Sequence, residues 1–223
     1  MSHEIRTPLS ALVGLSQAMC KQSEKRQLPE DFTRMLEQIR SGGRYLNVML
    51  TNLLDVSAVE NGRPRVHVRA TALGTWAQSV RDILEPFAVS RHVELRWHDE
   101  ALVGAERCTD PVRLSQILIN LVHNAIKFTP AGKGVDVRFT WRPDFFALEV
   151  VDEGVGLAVE QATLFAAFAD GVPAISDLDH GVGLGLYVVQ TNTDLLGGCV
   201  TAGNSPDGGA CFRVEWDSKE SET

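Results

Sequence analysis

The residues best suited to chemistry near the start of the chain are an imidazole, a carboxylate and a hydroxyl: His3, Glu4 and Thr7. Residues four apart share one face of a helix, so His3 and Thr7 point the same way. Pro8 lacks the backbone donor that would reach the Glu4 carbonyl, which predicts a bend beside His3. An imidazole beside a carboxylate can do acid–base chemistry. A lone histidine is more often structural, so the case for a reactive site depends on residues farther along.

A second group of polar residues lies on a predicted helix, residues 110–128. Asp110 is the predicted N-cap of this helix, and Pro111 lies in its first turn. At 3.6 residues per turn, polar side chains fall within about a quarter-turn arc: Arg113, Gln116, Asn120, Asn124 and Lys127. The other side is apolar, which predicts a buried helix, and a buried polar row needs partners. Asparagine oxygens can bind Mg²⁺, and lysine can neutralise a phosphate. A solvated, exposed polar face is the alternative interpretation.

Two glycine-rich turns complete the set. In the first, residues 150–156, Asp152 ends an apolar strand, and a buried carboxylate there can accept a hydrogen bond from an exocyclic amine. In the second, residues 181–186, glycines open a helix, where free amides and the helix dipole favour an anion. The G-x-G-x-G spacing without a preceding strand disfavours a dinucleotide fold. The polar stretch 169–180 is interpreted as a lid over a nucleotide.

The elements that must position these groups fall into two regions. Apolar residues at three- and four-residue steps predict two helices joined by a turn at residues 27–31, and the exposed seam of this hairpin predicts a dimeric four-helix bundle. When residues are counted outward from the turn along both helices, residues 55–60 of the second helix have no residues of the first helix opposite them. We therefore expect the parent chain to continue upstream of Met1. Residues 61–64 break the helical pattern and predict a domain boundary.

Beyond this boundary, helical and strand patterns mix without strict alternation, which favours an α/β sandwich and an α+β chain overall. The predicted strands are 65–69, 93–97, 135–141, 145–151, 200–202 and 211–216, and the predicted helices are 72–90, 110–128, 159–168 and 184–196. The predicted domains are residues 1–61, residues 62–217 and a polar tail, residues 218–223.

Composition excludes several partners. The formal net charge of -8 argues against nucleic acid and against an anionic membrane surface. No apolar run approaches the roughly 20 residues of a bilayer span, and no signal peptide is visible. The four cysteines lack a C-x-x-C spacing, which argues against zinc and suits a reducing compartment, interpreted as the cytoplasm.

Taken in order, these motifs resemble the catalytic core of a sensor histidine kinase of a two-component system, over nearly all of the chain. The similar segments are residues 2–9 (phosphoacceptor box), 120–129 (N box), 152–156 (first glycine box), 164–168 (phenylalanine box), 181–186 (second glycine box) and 208–212 (a degraded third glycine box). The resemblance implies a phosphoacceptor hairpin followed by an ATP-binding domain of the histidine kinase/gyrase/chaperone type.

The resemblance also implies a reaction. His3 would attack the γ-phosphate of ATP, and Glu4 would hold the imidazole and accept its proton. The phosphoryl group would pass to an aspartate of a response-regulator receiver domain, and Thr7 could orient water for dephosphorylating that partner. The implied partners are a second copy of the chain, the receiver and ATP. The implied location is the cytoplasmic portion of a membrane-anchored sensor, in contact with the membrane only through upstream segments.

The implied nucleotide site uses ATP and Mg²⁺. Asn124 would coordinate the metal ion with Asn120 beside it, Lys127 would contact phosphate, and Asp152 would bind the adenine amino group. The remaining nucleotide-binding residues would be Gly154, Gly156, Gly181, Gly183, Gly185 and Leu186.

Several positions depart from the family pattern. Val182 and Ala210 stand where a hydroxyl side chain is usual, and Ala167 stands where a proline or a charged residue is usual. The predicted lid contains three acids and no Lys or Arg, and acids repel a triphosphate. We therefore predict modest ATP affinity and slow autophosphorylation.

Two other classes of protein stay open. A non-catalytic, kinase-like dimer would bind nucleotide poorly and act by docking to partners; the departures motivate it, and the intact motifs argue against it. An ATPase of the gyrase or chaperone type would use a catalytic glutamate where this chain has Asn120, and it would lack the helical hairpin.

Overall fold

The computed structural model of the chain describes Met19, Ile39, residues 66–158, residues 164 and 165, and residues 185–217 except 207. Apart from Met19 and Ile39, the predicted hairpin lies outside the described residues, as does the predicted lid. The described elements are β1 (Arg69–Ala72), α1 (Leu73–Ser90), β2 (Glu94–His98), a 3₁₀ turn (Glu100–Leu102), β3 (Glu106–Thr109), α2 (Pro111–Phe128), β4 (Gly134–Arg142), β5 (Phe145–Asp152), α3 (Gly185–Leu195), β6 (Cys199–Asn204) and β7 (Ala210–Asp217).

The strands form a five-stranded sheet and a small two-stranded one. The order in the large sheet is β2-β4-β5-β7-β6, in which β2 and β4 are parallel and the other neighbours are antiparallel. Strands β1 and β3 pair antiparallel in the small sheet. All three described helices share one core cluster with the large sheet. The predicted α/β sandwich is therefore confirmed, but the strand predicted at residues 65–69 lies at Arg69–Ala72, and β3 was not predicted.

Side chains alternate between the two faces of the large sheet, as a strand period of two requires. In β5, Phe146, Leu148 and Val150 point into the core beneath the helices. On the opposite face, Glu149 lies 3.4 Å from both Arg138 and Arg213, which flank it on the neighbouring strands. Cross-strand ion pairs thus cover the outer face. Asp152 comes two residues after Val150 and therefore lies on the same inward face of β5, so its carboxylate faces the helices.

Helix α2 begins and ends where its sequence predicts. The Asp110 side chain caps it by accepting hydrogen bonds from the backbone N–H groups of Val112 at 3.0 Å and Arg113 at 3.3 Å. Pro111 occupies the first turn, where its missing N–H costs nothing. At the other end, the Thr129 hydroxyl donates to the Ala125 carbonyl at 2.7 Å. Both ends of the helix that carries the polar row are therefore fixed.

Arg96 ties the edge strand β2 to the turn that follows β5. Its Nη2 atom donates to Asp136 Oδ2 at 2.9 Å and to Glu153 Oε1 at 2.6 Å. The other Glu153 oxygen accepts the Gly134 N–H at 3.2 Å. The hydrogen bond from Arg96 lowers the pKa of Glu153 below its ordinary value. The residue next to Asp152 is thus held by charge.

We expect Glu153→Gln to reduce stability in a pH-dependent way. A carboxyl group whose pKa is lowered by folding stabilises the protein above its unfolded-state pKa, and this contribution disappears as the pH falls through the folded-state value. Because Glu153 is 43% exposed, the loss at pH 7 should be about 1 kcal/mol or less. Urea denaturation at pH 7 and near pH 3 measures it, and the difference should be smaller at the lower pH.

The matched control is Glu94→Gln, because Glu94 also faces Arg96 but at 3.9 Å and with 72% of its side chain exposed. It should leave stability unchanged at both pH values. A deficit of Glu153→Gln that is the same at pH 3 and at pH 7 would contradict the assignment to the charge.

Candidate functional site

Asp152 is the centre of the candidate site. Only 5% of the residue is exposed, and its Oδ1 atom accepts backbone hydrogen bonds from Gly154 at 2.8 Å and from Ala210 at 3.0 Å. Burial raises the pKa of Asp152, and the two backbone hydrogen bonds partly oppose this. In the part of the chain that the structure describes, no hydrogen bond to its Oδ2 atom is seen. Its Oδ2 atom is therefore available to accept a hydrogen bond from a bound group.

The turn between β6 and β7 forms one wall behind Asp152. Gly209 has a φ of +85°, and a Cβ atom there would overlap the Asp152 carbonyl oxygen and lie 2.9 Å from Oδ1. Only glycine fits so close to another backbone. Neither Gly209 nor the Ala210 N–H was predicted as a site residue, although the Gly208-Gly209 pair in the third glycine box was a visible signal.

Asn204, at the end of β6, holds the first glycine turn. Its Oδ1 atom accepts the Leu157 N–H at 2.6 Å, and its Nδ2 atom donates to the Leu157 carbonyl at 3.2 Å. Gly156 has a φ of +74°, and a Cβ atom there would lie 2.8 Å from Asn204 Oδ1. Sequence reasoning missed Asn204, because no local pattern links residues 47 positions apart.

The first glycine turn also meets the end of α2. A Cβ atom at Gly154 would lie 2.6 Å from the Phe128 carbonyl oxygen and 2.8 Å from Asp152 Oδ1. Lys127, the preceding residue on α2, is partly buried, with Nζ 5.2 Å from the Phe128 ring centroid. Helix α2 thus lies beside the turn that holds the buried Asp152 carboxylate and also carries the polar row.

Nearer the middle of α2, the side-chain amides of Asn120 and Asn124 lie close to the start of α3. Asn120 is 3% exposed, and its Nδ2 atom donates to the Gln116 carbonyl at 2.6 Å. An ideal Cβ atom at Gly185 would lie 3.3 Å from Asn120 Oδ1 and 3.6 Å from Asn124 Nδ2. The structure therefore brings Asn120, Asn124 and Gly185 together, and Leu186 packs against the core beside them.

The other half of the polar row, Arg113 and Gln116, lies nearer the start of α2 and meets α3 nearer the end of that helix. Arg113 Nη1 donates to Asn192 Oδ1 at 2.7 Å, and Asn192 Nδ2 donates to Gln116 Oε1 at 2.9 Å. Arg113 and Gln116 are 6% and 3% exposed, so the alternative of a solvated polar face is wrong for them. We call Asp110, Arg113, Gln116 and Asn192 the α2–α3 polar cluster.

Other predicted site residues lie outside the described part of the chain: His3, Glu4, Thr7, Gly181 and Gly183. Of the phenylalanine box, Leu164 and Phe165 are described, and the Phe165 ring meets Phe212 of β7 edge-on at 6.4 Å. No group of three or more His, Cys, Asp and Glu side chains among the described residues is arranged to hold a metal ion. None of the described helices is both long enough and apolar enough to cross a bilayer.

A separate groove of about 610 Å³ lies between β1, α1 and the first turns of α2. Trp76, Ile83 and Val112 are among its apolar lining residues. None of the described residues predicted to bind nucleotide lines it. The groove and the site around Asp152 are therefore distinct features of the surface.

Two family models match the chain. Residues 109–220 match the model described as histidine kinase-, DNA gyrase B-, and HSP90-like ATPase. Residues 1–62 match the His Kinase A (phospho-acceptor) domain. The two matches lie in the order that the motifs predicted.

Similar curated proteins are much longer than this chain. The autoinducer 2 sensor kinase/phosphatase LuxQ of Vibrio harveyi is 30% identical over 228 residues, which covers 100% of this chain and 26% of LuxQ. The circadian input-output histidine kinase CikA of Thermosynechococcus vestitus is 32% identical over 216 residues, which covers 96% of this chain and 30% of CikA. The chain thus spans between a quarter and a third of the length of these relatives.

Solved structures with the same fold include full-length ShkA in complex with AMPPNP. It is 27% identical with a TM-score of 0.63, over 97% of this chain and 44% of ShkA. The Acinetobacter baumannii histidine kinase AdeS is 23% identical with a TM-score of 0.60, over 98% of both chains, and this likeness shows the fold alone.

The fold and the matched range place residues 109–220 in the class of histidine kinase-, DNA gyrase B- and HSP90-like ATPases. The phospho-acceptor model covers the region that precedes this domain. The chain therefore belongs to the sensor histidine kinases of two-component systems.

Proposed function

We propose that this protein is an ATP-dependent protein-histidine kinase that phosphorylates its own His3 and passes the phosphoryl group to an aspartate of a receiver domain. The observation that carries the proposal is the Asp152 carboxylate, which is buried, accepts two backbone hydrogen bonds at one oxygen, and accepts none at the other from the described residues. Burying a carboxylate costs free energy, and each further hydrogen bond, including one from a bound group, reduces that cost. An exocyclic amine such as that of adenine supplies the missing donor.

The nucleotide would lie along α2, with its base and its phosphates at separate places. Asp152 would accept from the adenine amine, and Gly154 and Gly156 would allow the base to approach the backbone. Lys127 would neutralise phosphate charge. The start of α3 would offer backbone N–H groups to the phosphates, through Gly185 and Leu186 together with Gly181 and Gly183.

The family implies Mg²⁺, and the described residues fit this ion. The hydrogen bond from Asn120 Nδ2 to the Gln116 carbonyl fixes the amide with Oδ1 toward the start of α3, where Gly185 leaves space. Mg²⁺ prefers oxygen ligands and uses few protein side chains beside phosphates and water. Asn124 and Asn120 would hold it, and it would offset the negative charge of the triphosphate.

The reaction would join the two domains. A ring nitrogen of His3 would form a bond to the γ-phosphorus as the bond to the ADP oxygen breaks, and Glu4 would accept the imidazole proton. LuxQ is named a sensor kinase/phosphatase. We propose that this chain also dephosphorylates its receiver, with water oriented by Thr7.

The proposed organisation follows the sequence boundaries. Residues 1–61 would form the dimerisation and phosphoacceptor domain, residues 62–217 the ATP-binding domain, and residues 218–223 a polar tail. Two copies would pair through the helical hairpin into a four-helix bundle. We propose that the chain is the cytoplasmic portion of a longer, membrane-anchored sensor that acts on a response regulator and not on nucleic acid.

Incubation with γ-labelled ATP and Mg²⁺ tests the kinase reaction directly. We expect acid-labile label on the wild-type chain and none on His3→Gln, because phosphohistidine needs the imidazole nitrogen. Added receiver domain should remove the label from the kinase. ATP binding by both variants, measured by calorimetry, is the control for folding. Equal labelling of both variants, or no label on the wild type even with a receiver present, would contradict the proposal.

A further inference from the structure

A buried chain of polar contacts joins α2 to α3 below the nucleotide site. Asn192 is 1% exposed and uses both atoms of its amide: Oδ1 accepts from Arg113 at 2.7 Å, and Nδ2 donates to Gln116 at 2.9 Å. Arg113 is itself oriented by Asp110, with Nε 3.8 Å from Oδ2 at a pair that is almost fully buried. The α2–α3 polar cluster therefore satisfies its members across the helix interface.

Such a cluster restricts how two helices can slide. Buried apolar residues of α3, such as Val188 and Val189, contribute non-directional contacts, which specify the register less sharply than a hydrogen bond does. The Asn192 amide meets both Arg113 and Gln116 in only one position, and a shift would break both hydrogen bonds inside a buried interface. A buried polar contact of this kind can fix the register of packed helices.

The register of α3 sets the geometry at its first turn. Gly185 lies seven residues before Asn192, so the two share about the same face of the helix. On α2, Asn120 follows Gln116 by one turn and donates to its carbonyl at 2.6 Å. When Asn192 binds Gln116, Gly185 therefore meets Asn120 and Asn124.

We propose that Asn192 is a positioning residue for nucleotide binding: by bridging Arg113 and Gln116, it fixes the register of α3 and so places the first turn of α3 over Asn120 and Asn124. The inference rests on the proposed function for its link to ATP. Asn192 itself does not touch the nucleotide.

Three variants test this proposal. Asn192→Leu should weaken ATP binding by about tenfold, because it removes the hydrogen bonds that Asn192 makes with Arg113 and Gln116 and so frees the register. Asn192→Asp keeps an acceptor for Arg113, and the Gln116 amide can rotate to donate to it, so its affinity should stay within about threefold of the wild type. Gln190→Leu, a change at a partly buried position on the same helix that removes a hydrogen bond to Asp194, is the control and should bind normally.

A triple variant separates positioning from stability. In Arg113→Met/Gln116→Leu/Asn192→Leu, all three side chains of the Asn192 bridge are apolar, and Asp110 keeps the backbone N–H groups of His67, Val112 and residue 113, so the melting temperature should recover relative to Asn192→Leu. The register would still be free, so ATP affinity should stay low by calorimetry. If affinity recovers together with the melting temperature, Asn192 is only structural and the proposal is wrong.

A readout without nucleotide keeps the two proposals distinguishable. The side-chain amide NMR signals of Asn120 and Asn124 report their contact with Gly185, and in the ligand-free triple variant they should shift and broaden. Unchanged signals would overturn the positioning role even if ATP binds. A wild type that binds no ATP would defeat the proposed function, while shifted amide signals in the triple variant would still support the register.

Discussion

Asp152→Asn is expected to weaken ATP binding by about 100-fold while the domain stays folded. The amide oxygen can still accept the Gly154 and Ala210 hydrogen bonds that the carboxylate accepts now. The amide nitrogen would then stand where Oδ2 stands, and its donor would face the donor amine of adenine. The loss is large because it replaces a charge-assisted hydrogen bond by a contact between two donors in a buried place.

Stability should move in the opposite direction or stay constant. Burial raises the pKa of Asp152, so the ionised side chain destabilises the folded state above its folded-state pKa. This cost is absent below the unfolded-state pKa, where both states are protonated. Asp152→Asn removes it, and its melting temperature at pH 7 should equal or exceed that of the wild type.

Base selectivity provides the sharpest measurement. Inosine triphosphate carries a carbonyl oxygen where adenine carries its amine, and the new amide N–H can donate to that oxygen. Calorimetry with both nucleotides should therefore show that Asp152→Asn has lost the preference for ATP. An unchanged preference would remove Asp152 from base recognition.

The control for this experiment is Asp136→Asn on the neighbouring strand β4. The Asp136 carboxylate is 15% exposed and pairs with Arg96 at 2.9 Å on the outer face of the sheet. Its loss should reduce stability and leave nucleotide affinity unchanged, which is the reverse of the pattern expected for Asp152.

Gly209→Ala is expected to have the largest effect on folding, with a loss of about 3 kcal/mol or more and no measurable ATP binding. Two costs combine. A φ of +85° places an L-residue in the left-handed region. The added Cβ atom also overlaps the backbone carbonyl of Asp152, which cannot move without displacing β5. Urea denaturation and nucleotide titration measure the two losses.

Gly208→Ala separates these costs, because Gly208 has the same φ of +85° but no atom of the described residues within 4 Å of its ideal Cβ. It should lose only about 1 kcal/mol, from backbone strain alone, and should bind ATP normally. If the two variants lose equal stability, the close approach to Asp152 contributes nothing.

The sequence was a good guide wherever the determining forces are local. Asp110 and Pro111 marked the start of α2, because an N-cap side chain and a proline in the first turn act within a few residues. The hairpin of β4 and β5 was predicted to within a residue at each end, since the alternation of apolar residues and the intervening turn lie in one short stretch. The motif carrying Asp152 was found because it joins an apolar strand to a glycine turn.

Long-range pairing is what the sequence could not supply. Strand β3 has little apolar pattern of its own and forms only because β1 pairs with it. Arg113 and Gln116 were placed in one row with Asn120 on the basis of helical spacing, but their partner, Asn192, lies 76 to 79 positions away. The two hydrogen bonds between Asn204 and Leu157 join residues that are 47 positions apart in the sequence. Spacing along one helix predicts which side chains are neighbours, but not what faces them.

The dependence of Asp152 on Ala210 has a consequence for synthesis of the protein. The carboxylate is held by a backbone N–H that arrives with β7, the last strand of the sheet. A chain growing from the ribosome therefore completes the surroundings of Asp152 only after this strand has emerged and docked. A nucleotide that depends on this arrangement of Asp152 would therefore stabilise the domain only after its last strand has joined the sheet.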